Sequence, residues 1–374
     1  MNAITDIIPA ETIAAGVIRV SVPDLRRAVN QTAAVVERRN TIPVLGCLRV
    51  VPHGDKLLIT ATDLDMWLTV ECPALCANDA PTFLLPARLM VQILRGAEAG
   101  DTIMFSKSGD VVTMRIGQST ACLRETSLVG DFPDARDMDD AASFAIPAAK
   151  LGAVITNCAP CISTEETRYY LNGIYLHERD GALAGVATDG HRLSIYQTDA
   201  KWPVTGHIIP RKSAPMLARL CGLAGDADIT VRASAYLHML TFEGSGWVLV
   251  AKTIDGTFPD YTRVIPPLAD NPGHAVLSPA TLRRFPHAPG HASRAAKLDL
   301  VRGTMTYAEV FHGLEFTTPI EAGGAFAVGF NIEYLRAFTA AFGTIRLTLI
   351  NSGDPARITS QDPNWLGVLM PMRV

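Results

Sequence analysis

Short apolar runs that end in proline and lead into amphipathic stretches recur along the chain. They stand at Val20-Ser21-Val22-Pro23, Phe83-Leu84-Leu85-Pro86, Phe144-Ala145-Ile146-Pro147, Ile208-Ile209-Pro210 and Val276-Leu277-Ser278-Pro279; a sixth, Val328-Gly329-Phe330-Asn331, has asparagine in the proline's place. Proline suits the first helical turn, where its missing N–H costs nothing, and asparagine suits the adjacent cap. Each copy therefore predicts a strand running into a helix. Stripes at helical spacing follow: Leu25, Val29, Ala33 and Val36; Leu89, Ile93 and Leu94; Leu335, Phe338 and Phe342. Between them Lys56–Thr62 and Val111–Ile116 read as strands, with Gly109-Asp110 as a turn. Helices packed on antiparallel strands make an α+β architecture.

Two tripeptides repeat at one offset. Ala61-Thr62-Asp63 returns as Ala187-Thr188-Asp189, and Phe132-Pro133-Asp134 as Phe258-Pro259-Asp260, both 126 residues on by subtraction of residue numbers. A third of the chain is about 125 residues, so the offset predicts three tandem, similar domains, each holding two of the six strand-to-helix copies. The expected division is an N-terminal extension 1–16, then domains 17–142, 143–269 and 270–374.

Composition narrows what such a chain can do. Hydrophobic residues make up 48% and charged residues 19%, and no tract is acidic, basic or of low complexity, which argues for globular structure throughout. The first sixteen residues carry Asp6 and Glu11 and lack a basic leader, and no apolar run approaches the length a bilayer requires, so a cytoplasmic location is expected. Seven cysteines in such a compartment read as free thiols. A net charge of -4 excludes holding nucleic acid by bulk electrostatics. Basic residues nonetheless gather in the six helical segments: Arg26 and Arg27, Arg88 and Arg95, Lys150, Arg211 with Lys212 and Arg219, Arg283 and Arg284, and Arg336. Any DNA function would rest on that local charge or on topology.

Five segments resemble, in order, the β sliding clamp family of bacterial DNA polymerase III: Arg39-Asn40-Thr41-Ile42-Pro43-Val44-Leu45, Glu166–Gly173, Ala187–Leu193, Phe258-Pro259-Asp260-Tyr261 and Met370-Pro371-Met372-Arg373-Val374. The resemblance runs from Val17 to Val374 and is weakest from Leu268 to Ala327. It implies a head-to-tail homodimer of three-domain subunits, a six-domain ring whose helices line a hole around double-stranded DNA. It implies no catalysis, cofactor or metal. The implied partners are DNA polymerase and clamp loader subunits, which bind through short linear motifs. Leu171, Thr188, Gly190, His191, Arg192, Leu193, Pro259, Arg263, Val264, Asn331, Tyr334, Val368, Met370, Pro371, Met372, Arg373 and Val374 match the family's partner pocket. Arg39, Arg88, Arg168, Tyr169, Tyr170, Arg211 and Lys212 are the expected DNA contacts, since phosphates demand charge.

Other readings compete at particular residues. Asp189-Gly190 predicts a tight hairpin turn, and His191 beside it lacks any accompanying nucleophile motif for acid–base chemistry. Cys158-Ala159-Pro160-Cys161 is a C-x-x-C unit and suggests thiol redox or zinc chemistry, but it falls at the predicted end of a helix rather than at its start. Departures from the family favour a clamp-like scaffold outside main replication. Cys122 and Arg124 stand where apolar residues usually meet the opposing subunit, Pro286, Pro289 and Gly290 should stop a helix early, and Val374 replaces a common leucine.

Overall fold

The computed structural model describes residues 14–39, 41–138, 141–234, 237–286, 294–309 and 313–373. Among them are six α-helices, one after each predicted strand: α1 Val22–Thr32, α2 Ala87–Gly96, α3 Ala148–Cys158, α4 Ala214–Ala224, α5 Pro279–Arg283 and α6 Ile332–Phe342. They pack in pairs, α1 with α2, α3 with α4, and α5 with α6. No helix of the described residues is long and apolar enough to cross a membrane.

The prolines do more than one job at these starts. Pro23 and Pro279 sit inside the first turn, as expected. Pro86 and Pro147 instead occupy the cap position itself, and Pro210 ends its strand ahead of α4, whose own first turn holds Pro215. Asn331 caps α6 by accepting a hydrogen bond from the Glu333 N–H at 3.0 Å. With Pro86 as the cap, the buried face is Ala87, Met90 and Leu94, and Leu89, expected in the apolar stripe, is exposed. Helix α1 likewise ends at Thr32, so Val36 falls outside the helix whose stripe it was expected to extend.

The chain forms two compact units, and the strand pairings described below are antiparallel. The first comprises residues up to Ala141 with Thr230–Ser234 and Met239–Lys252. One of its sheets runs in the order Leu75–Cys76, Ile18–Ser21, Thr102–Ser108, Val111–Ile116, Ser119–Arg124. Cys122 and Arg124 project into solvent from that outermost strand. The other sheet places Met239–Gly244 beside Trp247–Lys252, then Met66–Pro73, Lys56–Thr62, Cys47–His53 and Phe83–Pro86. Strands Lys56–Thr62 and Val111–Ile116 have the predicted bounds.

The second unit comprises Ala142–Ile229, Ala235–His238 and Thr253–Val374. Its larger sheet is ordered His207–Pro210, Gly173–Arg179, Ala182–Thr188, Arg192–Gln197, Trp365–Leu369, Ala356–Thr359, Ile345–Leu349, Gly273–Leu277, Glu321–Gly323. The step from Arg192–Gln197 to Trp365–Leu369 joins segments far apart in sequence, with Leu193 opposite Val368 and Arg192 opposite Leu369. A smaller sheet holds Leu314–Pro319, Thr304–Glu309, Ala295–Asp299 and Ala327–Asn331. Close backbone approach is built in at Gly152, where an added Cβ would lie 2.9 Å from that of Cys221 and push α3 off α4.

Several helix cations hold the fold together and so depart from the expected basic faces. Arg26 donates to the carbonyls of Leu94 and Ala97, at 2.9 and 2.6 Å, closing the end of α2. Arg336 does the same for α5, reaching the carbonyls of Phe285 and Pro286 at 2.8 and 3.0 Å while pairing with Glu333. Helix ends leave carbonyls without intrahelical partners, and a guanidinium is a good donor to them. Arg27 bonds the Glu71 carbonyl and Lys150 pairs with Asp199. Helix α5 does stop after five residues, just before Pro286; Pro289 and Gly290 lie outside the described residues.

Candidate functional site

The repeated Ala-Thr-Asp segment makes the same turn twice. In the second copy, Asp189 Oδ1 accepts from the N–H groups of His191 and Arg192 at 2.9 and 3.0 Å, and Thr188 Oγ1 accepts from the Gly190 N–H at 3.1 Å. In the first copy, Asp63 Oδ1 accepts from Asp65 and Met66 at 3.0 and 2.9 Å, and Thr62 Oγ1 from Leu64 at 3.0 Å. Short polar side chains that bond the backbone two or three residues on favour such turns. The residue after the aspartate has positive φ in both, 89° at Gly190 and 75° at Leu64.

In the second unit this turn borders an apolar cavity of about 170 Å³. Its walls come from four segments remote in sequence: Leu171; Thr188 and Gly190 to Leu193; Pro259, Asp260, Tyr261 and Val264; and Val368 and Met370 near the chain's end. Leu171, Leu193, Tyr261 and Val368 belong to one buried cluster with Val186, Ile195, Ile208 and Phe258. Cavity shape therefore follows from core packing rather than from loop position. The strand pair Arg192–Gln197 and Trp365–Leu369 delivers Val368, and the Met370 N–H then donates to the His191 carbonyl at 2.8 Å.

Polar groups at the rim are oriented by each other. Arg192 Nε donates to Asp189 Oδ2 at 2.9 Å, its carbonyl accepts from Thr188 Oγ1 at 2.7 Å, and its guanidinium lies 4.4 Å from the centre of the Tyr334 ring. That ring also stacks against His191, at 6.5 Å and 24°. Burial pushes the Tyr334 phenol up from its ordinary value. Arg168 donates to the Asp189 carbonyl at 3.2 Å, and its guanidinium occupies the space where a Cβ on Gly190 would sit. On the opposite wall Asp260 caps the turn Tyr261–Val264 and pairs with Arg263 at 3.1 Å; these hydrogen bonds hold the Asp260 carboxyl below its usual range, the Thr262 hydroxyl foremost.

Of the seventeen residues expected in the pocket, ten line the cavity: Leu171, Thr188, Gly190, His191, Arg192, Leu193, Pro259, Val264, Val368 and Met370. Tyr334 braces two of them from behind, and Asn331 is occupied as the cap of its helix. Arg263, Pro371, Met372 and Arg373 are not part of the wall; Met372 instead bonds the Gly329 carbonyl. Val374 lies outside the described residues. Asp260 and Tyr261 were not expected in the wall, although they close the Phe258–Tyr261 motif. Of the expected DNA contacts, Arg39, Arg88, Tyr169, Arg211 and Lys212 are exposed, with Arg88 donating to the Glu37 carbonyl at 3.0 Å. Arg168 and Tyr170 are half-buried, Arg168 on the pocket turn and Tyr170 edge-on to Tyr169 at 5.8 Å.

The repeat-related position in the first unit is filled. Trp67 stands where the second copy has Leu193, is 7% exposed, and donates its indole N–H to the Pro133 carbonyl at 2.9 Å, Pro133 being the counterpart of Pro259. The C-x-x-C thiols are also enclosed. Cys158 ends α3 as expected, and burial pushes both thiols up, Cys161 to about 12. A thiol that stays protonated is a poor nucleophile and ligand. Among the described residues no cluster of His, Cys, Asp and Glu could hold a metal ion.

Comparison with known proteins places this geometry in a family. Residues 18–135 match the family model of the DNA polymerase III beta subunit N-terminal domain, and residues 145–260 that of its central domain. The beta sliding clamp of Caulobacter vibrioides is 34% identical over 372 residues, covering 94% of this chain and 98% of its own length. That of Escherichia coli K12 is 27% identical over 371 residues, with the same coverage. Among solved structures, a Pseudomonas aeruginosa sliding clamp bound to griselimycin superposes with a TM-score of 0.87 at 28% identity, covering 96% of this chain and 100% of its own. The Caulobacter crescentus clamp gives 0.86 at 32%, covering 96% and 99%. With matches that span nearly the whole length on both sides, the chain belongs to the DNA polymerase III beta subunit family, the bacterial β sliding clamps.

Proposed function

We infer that the protein is a DNA sliding clamp, a non-catalytic processivity factor that closes as a homodimeric ring around duplex DNA and tethers DNA polymerase and clamp loader subunits. The observation that carries the tethering role is the apolar cavity whose walls converge from residues 171, 188–193, 259–264 and 368–370. A concave apolar site with a few oriented polar groups is what a short linear motif needs. Large apolar anchors supply the affinity, while Arg192, fixed by Asp189, orients the rest of the peptide. The Pseudomonas clamp was solved with griselimycin bound, and we place ligand capture by this chain in the cavity described.

We further propose three domains per chain, 17–142, 143–269 and 270–374, preceded by residues 1–16. The three helix pairs support that division, one pair to each domain. Arg39, Arg88, Tyr169, Arg211 and Lys212 are the residues we assign to DNA; Arg168 and Tyr170 contribute less, being half-buried. A ring retains DNA by topology, so a protein of net charge -4 needs only weak, salt-sensitive phosphate contacts in order to slide. Bacterial replication places such a clamp in the cytoplasm.

Light scattering across concentration tests the ring, with twice the chain mass expected at micromolar concentration. Because Cys122 and Arg124 leave the outermost strand polar, the dimer should weaken as salt rises. A monomer at every concentration and salt would sink the ring. Calorimetry with a peptide carrying a glutamine and two large apolar residues tests the cavity.

A further inference from the structure

Behind the cavity wall lies a stack of rings that the pocket's own residues do not explain. Tyr175 and His177 are two apart on the strand Gly173–Arg179 and so point to the same face of the sheet. The Tyr175 ring is nearly parallel to that of Phe258, at 6° and 5.0 Å, and the His177 ring lies 4.7 Å from Tyr175 at 19°. Gly206 makes room, since a Cβ there would meet the Tyr175 phenol at 2.2 Å. The stack ends on Tyr261, a residue of the cavity wall, whose hydroxyl is 3.1 Å from His177 Nε2.

Proton bookkeeping orders these contacts. His177 Nδ1 is 2.7 Å from the Glu178 carbonyl oxygen, which can only accept, so Nδ1 carries the ring proton. In the neutral ring Nε2 is then an acceptor, and the Tyr261 hydroxyl donates to it. The Arg179 charge lies near enough to favour the ionised phenol, although burial outweighs it and pushes the Tyr261 phenol up from its ordinary value. The phenol is thereby fixed by the His177 ring, through the hydrogen bond and the tilted ring contact at 5.7 Å, and with it the wall against which a peptide's apolar anchor would rest.

We propose that His177, although outside the cavity, is a positioning residue for peptide capture, holding Tyr261 through the Nε2 hydrogen bond and the stack with Tyr175 and Phe258. This rests on the cavity being the partner site. A buried hydroxyl deprived of its acceptor seeks another, and the ring that carries it moves into the space meant for the ligand. The groups around His177 also give a pH dependence. Glu178, Arg179 and Asp180 belong to its own hairpin, while Tyr175 and Tyr261 face the ring. Burial, aided by Arg179, holds the imidazole below its ordinary value. A proton forced onto Nε2 in mild acid turns that acceptor into a donor and sets a cation beside Arg179.

The test is fluorescence anisotropy of a labelled peptide carrying a glutamine and two large apolar anchors, with the full-length protein. His177→Phe keeps a stacking ring and removes the acceptor, so binding should weaken roughly tenfold; His177→Gln, whose amide oxygen can accept, should restore it to within about threefold of wild type. In a Tyr261→Phe background His177→Phe should cost nothing further, because the hydroxyl it serves is gone. Wild-type affinity should fall as pH drops below 6.5, the ordinary imidazole value from which His177 is shifted down, and His177→Phe should flatten that profile. His177→Phe binding like wild type, or losing as much in the Tyr261→Phe background, would overturn this proposal and leave the cavity assignment standing. No binding by the wild type would overturn both.

Discussion

The Met370 N–H donates to the carbonyl oxygen of His191 at 2.8 Å, so the end of the chain is tied to the turn that begins the pocket. Two residues later the Met372 N–H donates to the Gly329 carbonyl at 2.9 Å. The strand Trp365–Leu369 ends just before these contacts and carries the core residues Trp365, Val368 and Leu369. Deleting Met370–Val374 should therefore abolish peptide binding in calorimetry and leave the circular dichroism spectrum unchanged. Equal affinity in the truncated and intact proteins would place the pocket elsewhere.

The twin turns respond in opposite directions to opposite substitutions. Gly190→Ala puts a Cβ at positive φ and 2.6 Å from Arg168 Nη1, and should cost about 1–3 kcal/mol in urea unfolding while also weakening peptide binding. Leu64 already sits at φ 75°. Leu64→Gly should relieve that strain and stabilise the protein by up to about 1 kcal/mol, with peptide affinity unchanged. A Leu64→Gly protein less stable than wild type would mean that the side chain's packing outweighs the strain.

Some of the basic residues hold the fold, while Arg211 and Lys212, in the turn just before α4, are exposed and among those we assign to DNA. Arg336→Ala strips the carbonyls of Phe285 and Pro286 of their donor and should destabilise by about 1–3 kcal/mol. Arg211→Glu with Lys212→Glu should weaken DNA association at low salt. Unchanged DNA association after the double reversal would remove these two residues from the assigned DNA contacts.

The cysteines should separate by burial. Cys122 is exposed and Cys76 partly so, while Cys47, Cys72, Cys158, Cys161 and Cys221 are buried. A maleimide should label Cys122 first, and the buried five only on unfolding. Burial pushes Cys72, Cys161 and Cys221 from 9.0 to about 12. Folded thiols then keep protons that the unfolded chain releases above pH 9, so their contribution is intact below pH 9 and lost as pH rises toward 12. Melting temperatures between pH 8 and 11 should fall accordingly. Rapid labelling of Cys158 or Cys161 in the native protein would revive a redox role for that pair.

Periodicity and cap chemistry made the strand-to-helix units legible, because they act within a few residues. Leu89 was misplaced for a local reason: it is one position off the stripe that Ala87, Met90 and Leu94 make at helical spacing, and one position on a helix is a turn of about 100°. Ten of the residues singled out through motifs line one cavity. What stayed hidden were the destinations of long or aromatic side chains. Arg26 and Arg336 looked like surface charge, and only the paired helices show them closing helix ends. His177 carries no motif at all; its meaning depends on Phe258 and Tyr261, some eighty residues away and brought against it only by tertiary packing.

Trp67 gives the duplicated turn a different fate in the first unit, where an indole takes up the room that Leu193 leaves open in the second. On the function proposed above, a homodimeric ring made of such chains offers two of these peptide berths rather than one for each copy of the turn. Traffic on the ring then becomes a matter of turns: each polymerase or repair protein must vacate a berth before another can use it, and the order of departures is set by dissociation rates at two places.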